Sequence, residues 1–205
     1  RERMPQLDFF FFLGSTYTYL SVLRIEREAA RRGVEVRWRP FSVRAIMLEQ
    51  NNIPFRDKPV KTTYMWRDVE RRAARHGLPF AGIPPYPVDP DQLGCRVAVL
   101  AAQQGWCPAY SKAVFSDWFL RGHVPGEPVH LAQILQALGH DAEAVIDQAN
   151  SPQIRALYDA ETDVARKAGV FGSPTFLVGE EVFWGDDRLE DALDWAVSHA
   201  SAGRP

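Results

Sequence analysis

Gly169-Val170-Phe171-Gly172-Ser173-Pro174-Thr175-Phe176-Leu177-Val178 is the stretch against which the rest of the chain can be placed. Two glycines frame a turn, Ser173-Pro174 closes it, and four residues of aromatic, β-branched or aliphatic character follow. Gly179-Glu180-Glu181 ends that run before Val182-Phe183-Trp184 begins another, so the segment predicts a β-hairpin. Proline has no N–H for a sheet ladder, which puts Pro174 at the first residue of the strand and makes the Ser173-Pro174 bond a candidate for the cis form. In that form the Ser173 backbone turns outward and offers an N–H and a C=O to a peptide-like ligand.

The other end of the chain supplies the partners of this hairpin. Leu7–Leu13 is almost continuously apolar, the pattern of a strand buried on both faces. Gly14-Ser15 breaks it, and a helical pattern from Thr16 to Arg32 follows, with Ser15 expected as N-cap and Gly33 as the residue past its end. Val34, Val36 and Trp38 alternate with Glu35, Arg37 and Arg39 as a half-exposed strand ended by Pro40. Strand, helix, strand at these lengths is a βαβ unit. Beyond Phe41 the character changes: ten of the fifteen prolines lie between Pro54 and Pro128, and no strand pattern is visible there. Helices are predicted at 64–76, 91–104, 109–121, 131–138, 142–150 and 152–168, and a closing helix at 187–199. The tail from Ala202 to Pro205 is expected to be loose.

Ala165-Arg166-Lys167-Ala168-Gly169-Val170-Phe171-Gly172-Ser173-Pro174-Thr175-Phe176, followed by Phe183-Trp184-Gly185-Asp186-Asp187-Arg188-Leu189, resembles the DsbA-like branch that contains 2-hydroxychromene-2-carboxylate isomerases and kappa-class glutathione transferases. The resemblance implies an α/β fold, a thioredoxin-like sheet domain from residues 5–41 and 166–200, with a large all-helical insertion at 42–165. A redox protein of this fold would carry cysteines at the first position of the loop after the first strand and three residues later. Ser15 and Thr18 stand there instead, which argues against thiol–disulfide exchange.

By the same resemblance Ser15 is the catalytic residue, holding the sulfur of glutathione, which is the implied cofactor. Thr16 stands where the family has proline. Read alone, Ser15 is a helix cap; beside Ser173-Pro174 and the family strings it is a thiolate site at a helix N-terminus, where the dipole favours negative charge. Asn52-Ile53-Pro54, Lys61, Tyr64, Asp68 and Arg71 match the family's second series, which implies glutathione contacts for Asn52 and Lys61, the latter at the glycyl carboxylate. Asp68 and Arg71, three residues apart, also read as an ordinary helical ion pair. Asp187 matches the aspartate that meets the γ-glutamyl ammonium, with Asp186 beside it as a weaker candidate; both also read as helix-start residues. Ser173 and Pro174 complete the implied glutathione site.

Composition bounds the remaining classes. The 205 residues, 46% hydrophobic and 24% charged, with a formal net charge of −2, suit a soluble globular protein and give no basic footprint for nucleic acid. Arg24, Arg27, Arg31 and Arg32 are interleaved with Glu26 and Glu28, as on a solvated helix face. No window is apolar enough for a membrane span. Cys95 and Cys107 are a poor disulfide framework, and a cytoplasmic location is expected. The five histidines show no metal-ligand spacing, so no metal is expected. The expected activity is glutathione-dependent isomerisation of a 2-hydroxychromene-2-carboxylate in aromatic degradation, by a homodimer acting on a small aromatic or electrophilic substrate. A kappa-like transferase and a family member that binds no glutathione are the alternatives.

Overall fold

The computed structural model describes residues 3–86 and 88–200; the tail expected to be loose lies outside the described residues. Strands β1 (Gln6–Phe11), β2 (Glu35–Pro40), β3 (Thr175–Val178) and β4 (Glu181–Trp184) form one mixed sheet in the order β2-β1-β3-β4. β1 runs parallel to β2 with Phe9 opposite Trp38, and antiparallel to β3 with Phe9 opposite Phe176. Central β1 is therefore paired on both edges, and it is buried on both faces, with Phe9, Phe10 and Phe11 each 0% exposed, which is why its sequence does not alternate. The Phe9 ring stacks 5.5 Å from Phe176 and meets Trp38 edge-on at 5.0 Å. Each such pair adds about 0.5–1.5 kcal/mol beyond the area it buries.

β1 is shorter than the apolar run predicts. It stops at Phe11 because the next backbone N–H, that of Phe12, leaves the ladder and donates to the Ser173 hydroxyl at 2.9 Å. Helix α1 (Thr18–Arg32) begins later than expected, and its N-cap position is Tyr17, not Ser15, with no side-chain cap. The reason lies in the loop: Ser15 N–H closes a turn on Phe12 C=O at 3.1 Å, and the buried Thr16 hydroxyl reaches Met65 Sδ, so the chain is not yet helical there. Gly33 ends α1 as expected, at φ 64°, with its N–H on the carbonyls of Ala29 and Ala30.

Between β2 and β3 the regular elements among the described residues are all helices: α2 (Val43–Glu49), α3 (Pro59–Arg75), α4 (Leu93–Gln104), α5 (Cys107–Arg121), α6 (Pro128–Ala137), α7 (Ala142–Ala149) and α8 (Pro152–Lys167). The expected division at 165–166 falls inside α8, which leans on β2 as α4 does. A 3-10 turn (Asp186–Arg188) leads into the closing helix α9 (Leu189–His199), which packs against β1, β3 and α1.

A buried ionic knot joins α1, α3 and α9. Asp186 accepts from Ser21 Oγ at 2.7 Å, Arg24 Nε at 3.1 Å and Arg72 Nη2 at 3.1 Å. Arg24 also donates to the Asp186 carbonyl at 2.6 Å and to both oxygens of Glu190. Asp186 and Arg24 side chains are each 1% exposed, a placement tolerable for charges only because every partner is in place. Among the described residues no helix is long and apolar enough to cross a membrane.

Candidate functional site

The loop Phe12–Tyr17 and the turn before β3 meet at the end of β1. The Ser173–Pro174 bond is cis. Ser173 turns its side chain inward, where its hydroxyl takes the Phe12 N–H and lies 2.8 Å from the Thr18 hydroxyl. Its backbone is left on the other side: neither the N–H nor the C=O of Ser173 has a hydrogen-bond partner among the described residues. Gly172 is needed beside it, since any side chain there would collide with the Trp184 indole.

Ser15 sits in the same loop, partly buried, and its hydroxyl is likewise without a partner. It lies three residues ahead of α1, and the N–H groups of Thr16, Tyr17 and Thr18 are also unpaired among the described residues. A hydroxyl donor, three N–H groups and the positive end of a helix dipole suit a soft or oxygen anion. Of the two sequence readings of Ser15, thiolate site or helix cap, the cap does not hold, since the N-cap position of α1 is Tyr17.

Helix α3 lies across this loop. Met65, Asp68 and Arg72 face α1: Met65 receives the Thr16 hydroxyl, Asp68 accepts from Tyr17 Oη at 2.7 Å, and Arg72 reaches Asp186. Burial, and after it the bond to Asp68, pushes the Tyr17 phenol well above its usual pKa, so it remains a donor. Asp68 and Arg71 pair at 3.7 Å, as expected of i,i+3 neighbours. Lys61 is one turn before Met65 on the same helical row. It is exposed, with its ammonium 5.4 Å from the Phe55 ring centre. Asn52 is exposed in the α2–α3 connection, its N–H on Met47 C=O at 2.9 Å; no contact ties its side chain to Ser15.

The two neighbouring aspartates part company. Asp186 is buried, its carboxylate taken by the knot, so it is a structural anion rather than a surface ligand group. Asp187 is exposed, and Gly185 N–H on Pro174 C=O at 2.9 Å ties its turn directly to the cis proline. Hydrogen bonds thus tie the Ser15 loop to the Ser173–Pro174 turn and that turn to the one carrying Asp187, while α3, which carries Lys61, meets the loop through Met65 and Asp68.

Tyr86 lies beside the loop, a neighbour that the sequence did not suggest. It is half exposed, its hydroxyl lies 3.5 Å from Gly14 C=O, and its ring meets Trp118 and Trp66 edge-on at 5.5 and 6.0 Å. Arg44 holds its loop by donating to the carbonyls of Val88 and Asp89. No local pattern marks Tyr86; only tertiary packing brings it to Gly14. The two cysteines are free, buried thiols: burial raises Cys95 well above its usual value and Cys107 to about 12, so neither supplies a thiolate near neutral pH. Two cavities, of about 620 Å³ beside β2 and about 690 Å³ between α4 and the α5–α6 connection, contain neither Ser15 nor Ser173.

The fold and this loop-and-turn geometry define a thioredoxin-like protein without redox cysteines. The chain belongs to the DSBA-like thioredoxin domain family, whose model matches residues 6–194. Among its relatives, a 2-hydroxychromene-2-carboxylate isomerase of Pseudomonas putida is 29% identical over 185 residues, covering 89% of this chain and 90% of the relative. The Caenorhabditis elegans glutathione S-transferase kappa 1 is 23% identical over 208 residues, covering 94% and 91%. A solved 2-hydroxychromene-2-carboxylate isomerase superposes with a TM-score of 0.84 at 25% identity, over 96% of this chain and 98% of that one. The relatives support membership of an isomerase and transferase group, and the chain is read as an enzyme on that basis.

Proposed function

We propose that the protein is a glutathione-dependent isomerase of the 2-hydroxychromene-2-carboxylate type. The observation that carries the reading is two sets of unengaged groups on segments tied together by the Ser173 hydroxyl: the Ser15 hydroxyl with its neighbouring N–H groups, and the backbone of Ser173. They fit a cysteinyl peptide, since the backbone pair can dock it as an added strand and the hydroxyl can donate to its sulfur. Asp187 would hold the γ-glutamyl ammonium and Lys61 the glycyl carboxylate, with Asn52 as a further contact and Pro174 closing the floor. Asp186 would act through its hold on the Asp187 turn. When bound, glutathione would supply a thiolate that adds to and leaves from a conjugated double bond of the substrate, splitting one slow isomerisation into two easier steps. Ser15 and the loop N–H groups would stabilise that negative charge, and Tyr86 would supply an aromatic wall for the ring.

The match to a kappa-class transferase favours a second reading, conjugation of glutathione to a soluble electrophile such as a chloronitroaromatic, by the same half-site. Turnover of a hydroxychromene carboxylate with and without glutathione tests the first reading, and the products separate the two. An isomer formed only when glutathione is present supports isomerisation; a stable thioether selects the transferase; equal rates without glutathione remove the thiol from the mechanism. A homodimer in the cytoplasm goes with the family reading, and light scattering on the purified protein checks the oligomeric state.

A further inference from the structure

On the far side of α5 from its aromatic contacts, at the α5–α6 connection, the structure assembles a donor cluster that the spacing of the histidines along the chain does not suggest. Asp117 lies about one turn before the end of α5, His123 follows Gly122, Glu127 is the N-cap of α6 and His130 lies in its first turn. One ligand atom each from Asp117, His123 and His130 lies within 4.8 Å of the others. Asp117 Oδ2 and His123 Nδ1 are 2.9 Å apart, and Glu127 Oε2 is 3.6 Å from His130 Nε2. Donors bonded to one ion at about 2.0–2.2 Å lie no more than about 4.4 Å apart, so a small side-chain adjustment brings the set to coordination distance. We infer that Asp117, His123 and His130 form a three-ligand site for a divalent transition-metal ion of the zinc type, with Glu127, whose carboxylate caps α6 by accepting the Val129 and His130 N–H groups, standing outside the set.

Chemistry and charge favour such an ion. Two imidazoles with one carboxylate make a nitrogen–oxygen set suited to zinc and its neighbours rather than to calcium or magnesium. With neutral imidazoles, Asp117 and Glu127 bring two negative charges to this corner, and Arg121 meets one of them by donating to Asp117 Oδ1 at 3.2 Å. A divalent cation meets the remaining negative charge. The imidazole rings are stacked 3.7 Å apart at 8°, and parallel rings cannot both aim an in-plane lone pair at one ion. One must turn, and with side chains 33% and 31% exposed they can do so without unpacking the core. Such an ion would clip α5 to α6, a connection already tied to the loop behind Tyr86 by Asp89 N–H on Pro125 C=O at 2.8 Å. This inference does not depend on the glutathione reading.

The test is titration of the whole, metal-stripped protein with Zn²⁺ by calorimetry and thermal melting, and with Co²⁺ by visible absorption, beside His123→Ala, His130→Gln and Asp117→Asn. The expected results are one ion per chain, a melting temperature raised by roughly 5–10 °C at a hundredfold excess over Kd and reversed by chelator, and an intense four-coordinate Co²⁺ spectrum. Each variant should lose about tenfold or more in affinity. His130→Gln keeps an exposed polar side chain and Asp117→Asn keeps shape, so a folded variant is available for comparison. Binding of equal strength in folded variants, a weak octahedral Co²⁺ spectrum, or no saturable binding by the wild-type protein would each overturn the site.

Discussion

Ser15 shows how a hydroxyl can be conspicuous by what it leaves undone. It caps nothing, since α1 starts at Thr18 behind an uncapped Tyr17, and it bonds no neighbour among the described residues. Ser15→Ala therefore should change folding stability by no more than about 0.5 kcal/mol, the range of substitutions that break no contact. Activity should respond differently. A hydrogen bond to a charged group is worth about 1.5–3 kcal/mol, which corresponds to a roughly ten- to hundredfold fall in glutathione-dependent turnover. The bound thiol's pKa should rise as well, moving the pH–rate profile upward. Chemical denaturation and a pH series on the same variant read both. A variant that melts early while keeping its rate and pH optimum would make Ser15 a structural residue. Ser173 is the opposite case, because its hydroxyl is committed to Phe12 and Thr18 and only its backbone remains free.

At the scale of elements, the knot around Asp186 holds the turn that carries Asp187. Asp186→Ala would leave Arg24, 1% exposed, without its buried anion, and uncompensated charges of this kind cost about 3–5 kcal/mol. Urea unfolding should show a loss of that size; a loss below about 1 kcal/mol would mean that Glu190 alone suffices for Arg24. The sequence made the sheet legible because its signals are local: a continuous apolar run for central β1, alternation for edge strand β2, and a Ser-Pro turn opening β3. Helix starts were less legible. α3, α5 and α6 each carry proline in the first two positions, and reading the proline-rich stretches as loops set their starts too late. α2 was missed because it is only 7 residues long, although Ser42 caps it by accepting from Ala45 N–H. The site divides the same way. Ser15, Ser173 and Asp187 sit in local patterns, whereas Tyr86 against Gly14, Tyr17 on Asp68, and Asp117 with His123 and His130 depend on helices crossing in space.

At the scale of the whole molecule, the knot makes stability depend on pH in two windows. His76, at the end of α3, has its pKa lowered, first by burial and then by the charge of Arg24, against a smaller opposing pull from Asp186. Its Nε2 and the nearby Arg72 Nε have no hydrogen-bond partner among the described residues. The folded protein thus takes up this proton less readily than the unfolded chain, whose histidine titrates near 6.5. The unfolded state binds more protons as pH falls below that value, so stability drops from about pH 6.5 downward until the folded-state His76 is itself protonated. Glu190 acts lower. Burial raises its pKa, but the hydrogen bond and charge of Arg24 outweigh burial and leave it lowered overall. Its contribution is complete above the unfolded value of about 4.3 and is lost as pH falls through the lower folded value. Melting temperatures from pH 8 to pH 3 should therefore fall in two stages. His76→Gln should flatten the stage below pH 6.5 and leave the acid stage, while Glu190→Gln should lower stability at neutral pH and flatten only the stage below about pH 4.3. If His76→Gln leaves the upper stage unchanged, the proton is taken up elsewhere and the knot is not the source of the pH dependence there.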